Sequence, residues 1–340
     1  MFVTRSGRRA DMIVCLSMKH ESNPLERVQI IHFPGDSTSP SWHQPVLALG
    51  NFDGLHRGHA KILAQVRRRA DENGVTAAVL TFDPHPSRVV RPDKAPPLLM
   101  TGPQKLSGLA VAGMDGIAVV RFTAELSRLE PESFVRTVLV EWLRVAEVWV
   151  GANFLFGHER AGNFSLLRSL GARYGFRAEK IDPVRYRDFV VSSTRVRRLI
   201  TEGRVDEASS LLGHHYTLEG TVVRGDGRGR KIGFPTANLS TDNTLFPPNG
   251  VYATAVLVGQ VIHAAITNVG VRPTFGVPGT RPLVESHLFD VARDLYGTEI
   301  RVAFIQRLRE ERTFPDADAL REQIAHDCDE ARALFVQISL

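Results

Sequence analysis

From Val46 to about residue 208, short apolar runs alternate with amphipathic stretches; beyond Gly213 that alternation stops. This change of rhythm restricts the chain more than any other feature. Strands separated by helices call for a parallel sheet, because a parallel connection needs a crossover of a dozen or more residues. Strands crowded together with only turns between them call for an antiparallel barrel or sandwich. The 340 residues have room for both. The expected fold is α/β plus β, an open parallel-sheet domain over 25–208 followed by an antiparallel β-barrel with a terminal helix over 209–340.

Val46-Leu47-Ala48-Leu49, bounded by Pro45 and Gly50, reads as a buried strand, with further strands expected at 75–82, 117–120 and 145–150. Ile62, Leu63 and Val66 share one helix face, and Gly74 is a natural stop. Pro131 opens another helix, in which Phe134, Val138 and Trp142 repeat every four residues. In the second half, strands are expected at 217–223, 251–258, 261–267, 283–289 and 300–305. A last helix from near Asp316 carries Leu320, Ile324, Cys328, Ala331 and Phe335 on one face. Residues 1–24 read as a disordered extension: the run Met12–Leu16 is too short for a signal peptide, and translation could begin at Met1, Met12 or Met18.

The charge balance is +5, from 42 Lys and Arg against 37 Asp and Glu, which suits anionic partners. No arginine-rich tail, zinc finger or interleaved aromatic–basic motif favours nucleic acid. Arg67-Arg68-Arg69 reads as a solvated helix face. No apolar stretch is long enough to span a membrane. Cys15 and Cys328 form no Cys-x-x-Cys pair, consistent with a reducing cytoplasm.

Chemistry concentrates in two places. Gly50-Asn51-Phe52-Asp53-Gly54-Leu55-His56-Arg57-Gly58-His59 joins the first strand to its helix. With the helix beginning near Leu55, His56 and His59 neighbour each other on its first turn, beside unpaired N–H groups and the positive dipole end. That is a place to hold phosphate. The histidines lack metal-binding partners, and no Walker loop exists in the chain. Two more strand ends carry polar loops: Asp83-Pro84-His85-Pro86, and Gly151-Ala152-Asn153-Phe154-Leu155-Phe156-Gly157. Ligands of open α/β sheets gather at such ends. In Ser192-Ser193-Thr194-Arg195-Val196-Arg197, hydroxyls cap a helix, and together with its first amides and Arg197 they could surround a triphosphate.

The second constellation runs from Gly225 to Asn238. Gly225, Gly227, Arg228, Gly229, Arg230, Lys231 and Gly233 form a basic, glycine-rich connection, followed by Pro235-Thr236-Ala237-Asn238. Such a loop could wrap phosphates. Thr236 and Asn238, two apart, offer neutral oxygens on one face of an extended segment, suited to Mg²⁺ already partly satisfied by ATP.

The first loop resembles the Gly-Asn-Phe-Asp-Gly-x-His-x-Gly-His form of the nucleotidyltransferase motif found in prokaryotic bifunctional riboflavin kinase/FAD synthetases. Gly151–Gly157 resembles that family's Gly-x-Asp/Asn-Phe-x-Phe-Gly loop, where many members carry Asp and this chain has the uncharged Asn153. Val191–Arg197 is similar to its Ile-Ser-Ser-Thr-x-x-Arg motif, with Val191 replacing Ile. Gly233–Asn238 resembles the Gly-x-Pro-Thr-Ala-Asn motif of riboflavin kinases. Gly250–Ala253, Asn268–Phe275, Val284–Asp290 and Asp294–Gly297 also resemble that family.

The resemblance implies a Rossmann-like nucleotidyltransferase domain that makes FAD and pyrophosphate from FMN and ATP. It also implies a kinase barrel that makes FMN and ADP from riboflavin and ATP. It implies ATP or phosphate contacts from Gly50, Asn51, Phe52, Asp53, Gly58, Ser192, Ser193, Thr194 and Arg197, with His56 and His59 catalytic. Flavin contacts are implied at Asp83, Pro84, His85, Asn153 and Phe154. In the kinase, Gly225, Gly227, Arg228, Gly229, Arg230, Gly233 and Pro235 would bind ATP, Thr236 and Asn238 would hold Mg²⁺, and Glu285 would be the base. A nucleotidyltransferase for another acceptor, or a basic nucleic-acid-binding or flavin-sensing protein without turnover, stays open at this point, as does a homo-oligomer.

Overall fold

The computed structural model describes residues 24–35, 40–270 and 282–338. The expected extension, apart from Pro24, and Val271–Phe275 of the Asn268 segment lie outside them. Contacts divide these residues into two compact units, 24–97 with 101–192, and 98–100 with 193–338.

The first unit contains β1 (Gln29–Phe33), β2 (Val46–Leu49), β3 (Ala77–Asp83), β4 (Gly116–Arg121), β5 (Glu147–Gly151), the short pair β6 (Leu155–Phe156) and β7 (Gly162–Asn163), β8 (Arg177–Ile181), and the hairpin β9 (Arg185–Tyr186) and β10 (Phe189–Val190). Six of these form one parallel sheet in the order β1-β4-β3-β2-β5-β8. After β2 the chain builds outward on one side, through β3 and β4, before returning to place β5 on the other. The topological switch point is therefore between β2 and β5. All of β2 is buried, and its alternation serves two cores. Val46 and Ala48 pack with Ile62, Leu63 and Val66 of α1 (Arg57–Asn73). Leu47 and Leu49 pack with Val135, Val138, Leu139 and Trp142 on the opposite face.

Two features differ from expectation. Edge strands β1 and β8 show mixed burial with polar residues, so no continuous apolar run announces them. The helix opened by Pro131 widens into a π-helix over Val135–Trp142, which lets Val135, Val138, Leu139 and Trp142 all reach the core.

In the second unit, α3 (Ser193–Thr201) and α4 (Val205–Leu212) precede the strands; α2 (Gly102–Val111) belongs to the first unit. Strands β11 (Tyr216–Val223), β12 (Ala237–Thr241), β13 (Gly250–Val258), β14 (Val261–Gly270), β15 (Leu283–Leu288) and β16 (Glu299–Glu310) close into an antiparallel barrel, in the order β11-β12-β15-β14-β13-β16. Closure removes exposed sheet edges. Val251, Ala253 and Ala255 turn outward to meet Cys328, Ala331 and Phe335 of α5 (Ala317–Ile338). Strand β12 is the one the sequence reading lacks, since its polar residues look like more loop.

Helix α5 is also fixed by charge. Arg309 on β16 grips both oxygens of Asp327, Nε donating to Oδ1 at 2.9 Å and Oδ2 at 3.0 Å and Nη2 to Oδ2 at 2.8 Å, and Gln323 donates to Oδ1 at 2.7 Å. Asp327 is 1% exposed. Removing one member of a buried pair leaves the other uncompensated. Asp327→Ala is therefore expected to lower stability by about 3–5 kcal/mol in urea denaturation. A loss below about 0.5 kcal/mol, ordinary for a surface change, would contradict this packing.

Candidate functional site

The loop after β2 emerges at the switch point and holds an unusual backbone. Phe52 (φ 52°), Gly54 (φ 89°) and Leu55 (φ 40°) take left-handed conformations. Only glycine adopts these without strain, and such strain gathers at functional loops. Leu55 therefore stays outside the helix, which begins at Arg57 rather than near Leu55. His56 becomes its N-cap: Nδ1 accepts a hydrogen bond from the His59 amide at 3.3 Å. An accepting Nδ1 puts the neutral ring's proton on Nε2, which makes that edge a donor. The His56 and His59 rings stack at 3.7 Å and 13°, and Phe52, fully buried, lies 5.2 Å from His59. Burial, and then the neighbouring His56, push the His59 imidazole well below its ordinary pKa. His59 is thus neutral at neutral pH, and its buried Nδ1 has no partner. A Cβ on Gly58 would lie 3.0 Å from the His56 ring, so a side chain at this position would press on it.

Asp53 is buried, and the Asn51 carbonyl accepts from Thr81 Oγ1 at the end of β3. Asp83 and Pro84 are exposed at that strand end, and His85 caps the helical turn Pro86–Val90, accepting from the Ser87 amide. At the end of β5, Asn153 is exposed and Phe154 is half-buried, its ring 5.3 Å from the core residue Phe156. The loops carrying Gly50–His59, Asp83–His85 and Asn153–Phe154 therefore leave the carboxyl ends of three neighbouring strands. Ser192 ends the first unit, whereas α3, with Ser193, Thr194 and Arg197, packs through α4 against the barrel.

Lys105 on α2 was not singled out from the sequence. Its Nζ donates to the Phe82 carbonyl at 2.8 Å. Burial lowers the pKa of this amine, while Asp83 and Asp53 pull it back up. A half-buried cation thus stands among the acidic groups of two strand-end loops, and an isolated lysine in an amphipathic helix gives no signal of it. Likewise, Arg57 lies over the Tyr186 ring of the β9–β10 hairpin at 5.7 Å.

In the barrel unit, β12, β15 and β14 place Asn238, Glu285 and Asn268 in one row of directly paired residues, hence on one face. Asn268 opens one of the segments named for their resemblance, which assigned it no role. Asn238 is 5% exposed, and its Oδ1 is a buried acceptor with no partner. Such an oxygen suits a hard divalent cation. Thr236 is half-buried just ahead of β12. Among the described residues no group of three or more His, Cys, Asp and Glu could bind a metal alone. A cation here would need oxygens from its nucleotide as well.

The glycines of the β11–β12 connection make room for these ligands. A Cβ on Gly225 would meet the Asn238 amide at 2.4–2.6 Å, and one on Gly229 would meet the Phe234 carbonyl at 2.3 Å. Gly227 (φ 67°) caps the one-turn helix Arg228–Lys231, Arg230 is exposed, and Gly233 has φ 89°. Gly225→Ala should leave the fold intact, because the obstructing atoms end a movable side chain. It should nevertheless weaken nucleotide-dependent metal binding about tenfold or more by displacing Asn238, as changes beside metal ligands do. Calorimetry with MgADP tests this, and unchanged affinity would show that Gly225 does not set the Asn238 position.

Comparison with known proteins gives two family matches along the chain. A family model for FAD synthetase matches residues 38–195, and one for riboflavin kinase matches residues 212–335. A bifunctional riboflavin kinase/FMN adenylyltransferase of Escherichia coli K12 is 40% identical over 291 residues, 85% of this chain and 92% of that protein. The Bacillus subtilis protein of the same description is 35% identical over 315 residues, 92% and 98% of the two chains. A crystal structure from Streptococcus pneumoniae, described as a macrolide-efflux protein, superposes with a TM-score of 0.81 at 26% identity, covering 90% of this chain and 99% of that one. Among the described residues no helix is long and apolar enough to cross a membrane. With relatives matched at this level over nearly their whole length, and the two family models matched one after the other, the chain belongs to the bifunctional riboflavin kinase/FMN adenylyltransferase family.

Proposed function

We propose that the chain makes FAD from riboflavin in two steps at two sites, with the residue assignments that follow. The observation that carries the reading is that each compact unit holds its own reactive constellation, a stacked histidine pair at a helix N-terminus and an orphaned Asn238 oxygen in a row with Glu285. Adenylyl transfer is assigned to 25–208 and the kinase to 209–340, a division that the family matches at 38–195 and 212–335 support. Substrates and products are riboflavin, FMN, FAD, ATP, ADP and pyrophosphate. A cytoplasmic location fits them, and neither nucleic acid nor a membrane is needed.

In the kinase, the riboflavin 5′-hydroxyl attacks the ATP γ-phosphorus while its proton passes to the Glu285 carboxylate, and ADP leaves. Thr236 and Asn238 would hold Mg²⁺, which would offset phosphate charge. Gly225, Gly227, Gly229, Gly233 and Pro235 shape the nucleotide cradle, with Arg228 and Arg230 supplying charge.

In adenylyl transfer, an FMN phosphate oxygen attacks the ATP α-phosphorus and pyrophosphate departs. This nucleophile is already ionised, so positioning and charge stabilisation matter more than a base. His56 carries its proton on Nε2, His59 is kept neutral, and the first amides of α1 lie at the same helix end. Gly50, Asn51, Phe52, Asp53 and Gly58 build the nucleotide side. Asp83, Pro84, His85, Asn153 and Phe154 build the flavin side. Ser192, Ser193, Thr194 and Arg197 are assigned to the triphosphate on the motif resemblance alone.

Paired variants test the division. His59→Ala should lower FAD formation from FMN by about 10²–10³, the usual cost of one transition-state contact, and leave FMN formation unchanged. Glu285→Gln should lower FMN formation by about 10²–10⁴ and leave FAD formation from supplied FMN unchanged. Equal loss of both activities in either folded variant would overturn the two-site reading.

A further inference from the structure

Two residues beyond Glu285 on the same strand face stands His287, to which neither the motifs nor the chemistry above gives a role. Its Nδ1 lies 2.8 Å from the Pro235 carbonyl oxygen. A carbonyl only accepts, so Nδ1 carries a proton, and the bond exists whether the ring is neutral or charged. Pro235 has no N–H, which leaves its carbonyl as the segment's backbone handle immediately before Thr236. The imidazole is itself held edge-on by two aromatic rings, Phe234 at 5.3 Å and 82°, and Phe289 at 5.9 Å and 63°. Phe289 is buried and lies under the Arg332 guanidinium of α5 at 4.4 Å, and Arg332 is paired with Asp290 through contacts of 3.3 Å.

The segment so held has few other ties. Gly233 takes φ 89°, a left-handed backbone that glycine adopts without strain. The Phe234 amide donates to the Gly229 carbonyl at 2.8 Å, which fixes the residue ahead of Pro235. Thr236 lies outside the β12 ladder, which begins at Ala237, so the His287 bond to the Pro235 carbonyl is the tether between those two fixed points.

We infer that His287 is a positioning residue of the kinase site, its Nδ1–H anchoring the Pro235 carbonyl so that Thr236 is held beside Asn238 for the nucleotide-bound cation. The inference rests on the kinase reading above, but its physical core is the tether. His287 acts through geometry and transfers no proton. Residues that orient metal ligands in this way are commonly worth 10–100-fold in metal affinity.

The full-length protein tests the tether by amide hydrogen exchange over residues 233–238 without nucleotide, and by the Mg²⁺ concentration giving half-maximal FMN formation. FAD formation from supplied FMN serves as the control. His287→Ala should speed exchange in that segment and raise the half-saturating Mg²⁺ concentration about tenfold or more, leaving the control unchanged. His287→Asn places its amide nitrogen as many bonds from Cα as Nδ1 is, and should restore both readouts; His287→Gln, one bond longer, should not. Wild-type exchange and Mg²⁺ dependence in His287→Ala would overturn the proposal. So would failure of His287→Asn alongside His287→Ala, since that pattern would mean the ring's basicity matters rather than its donor. If the wild-type protein forms no FMN, the kinase reading falls, while the exchange comparison still decides whether the tether exists.

Discussion

The hydrogen bond from the His59 amide to His56 Nδ1 is small, yet the organisation of the histidine loop depends on it. It starts α1 at Arg57, so the helix amides open toward the switch point between β2 and β5. It fixes the His56 proton on Nε2, and it sets one imidazole against the other at 3.7 Å. Two charged rings would repel at that distance, so the stack favours neutral histidines, as burial of His59 does independently. The buried strand β2, packed into both cores, provides the rigid support for this end of the helix.

The barrel solves its problem by a different route. Closure fixes which residues face outward, and pairing across β12, β15 and β14 brings Asn238, Glu285 and Asn268 into one row although they are distant in sequence. The glycines beside that row are explained first by space: side chains at Gly225 and Gly229 would collide with the Asn238 amide and the Phe234 carbonyl. Phosphate wrapping is a second use of a connection that packing already requires to be bare. The two units thus reach ligand-binding geometry through unlike means, a helix terminus in one and a closed ladder in the other.

Much of this was legible because local chemistry and tertiary role coincide. The apolar run Val46–Leu49, the glycines after it and the stop at Gly74 mark strand, loop and helix in the order observed. What escaped reading depends on distant partners. Lys105 matters through Phe82, Asp83 and Asp53, and His287 through a carbonyl 52 positions away. The π-helix at Val135–Trp142 escaped because a four-residue repeat is compatible with either turn width until packing selects one. Strands β1 and β8 escaped because edge strands need no continuous apolar run.

The most direct test of the central claim, two sequential phosphate chemistries on one chain, is a time course. The purified protein is incubated with riboflavin, ATP and Mg²⁺, and the flavins are separated by chromatography. The account predicts that FMN appears first and FAD follows at its expense. Riboflavin left unconverted by folded protein would contradict it, and FMN that accumulates without FAD would remove the adenylyl-transfer half.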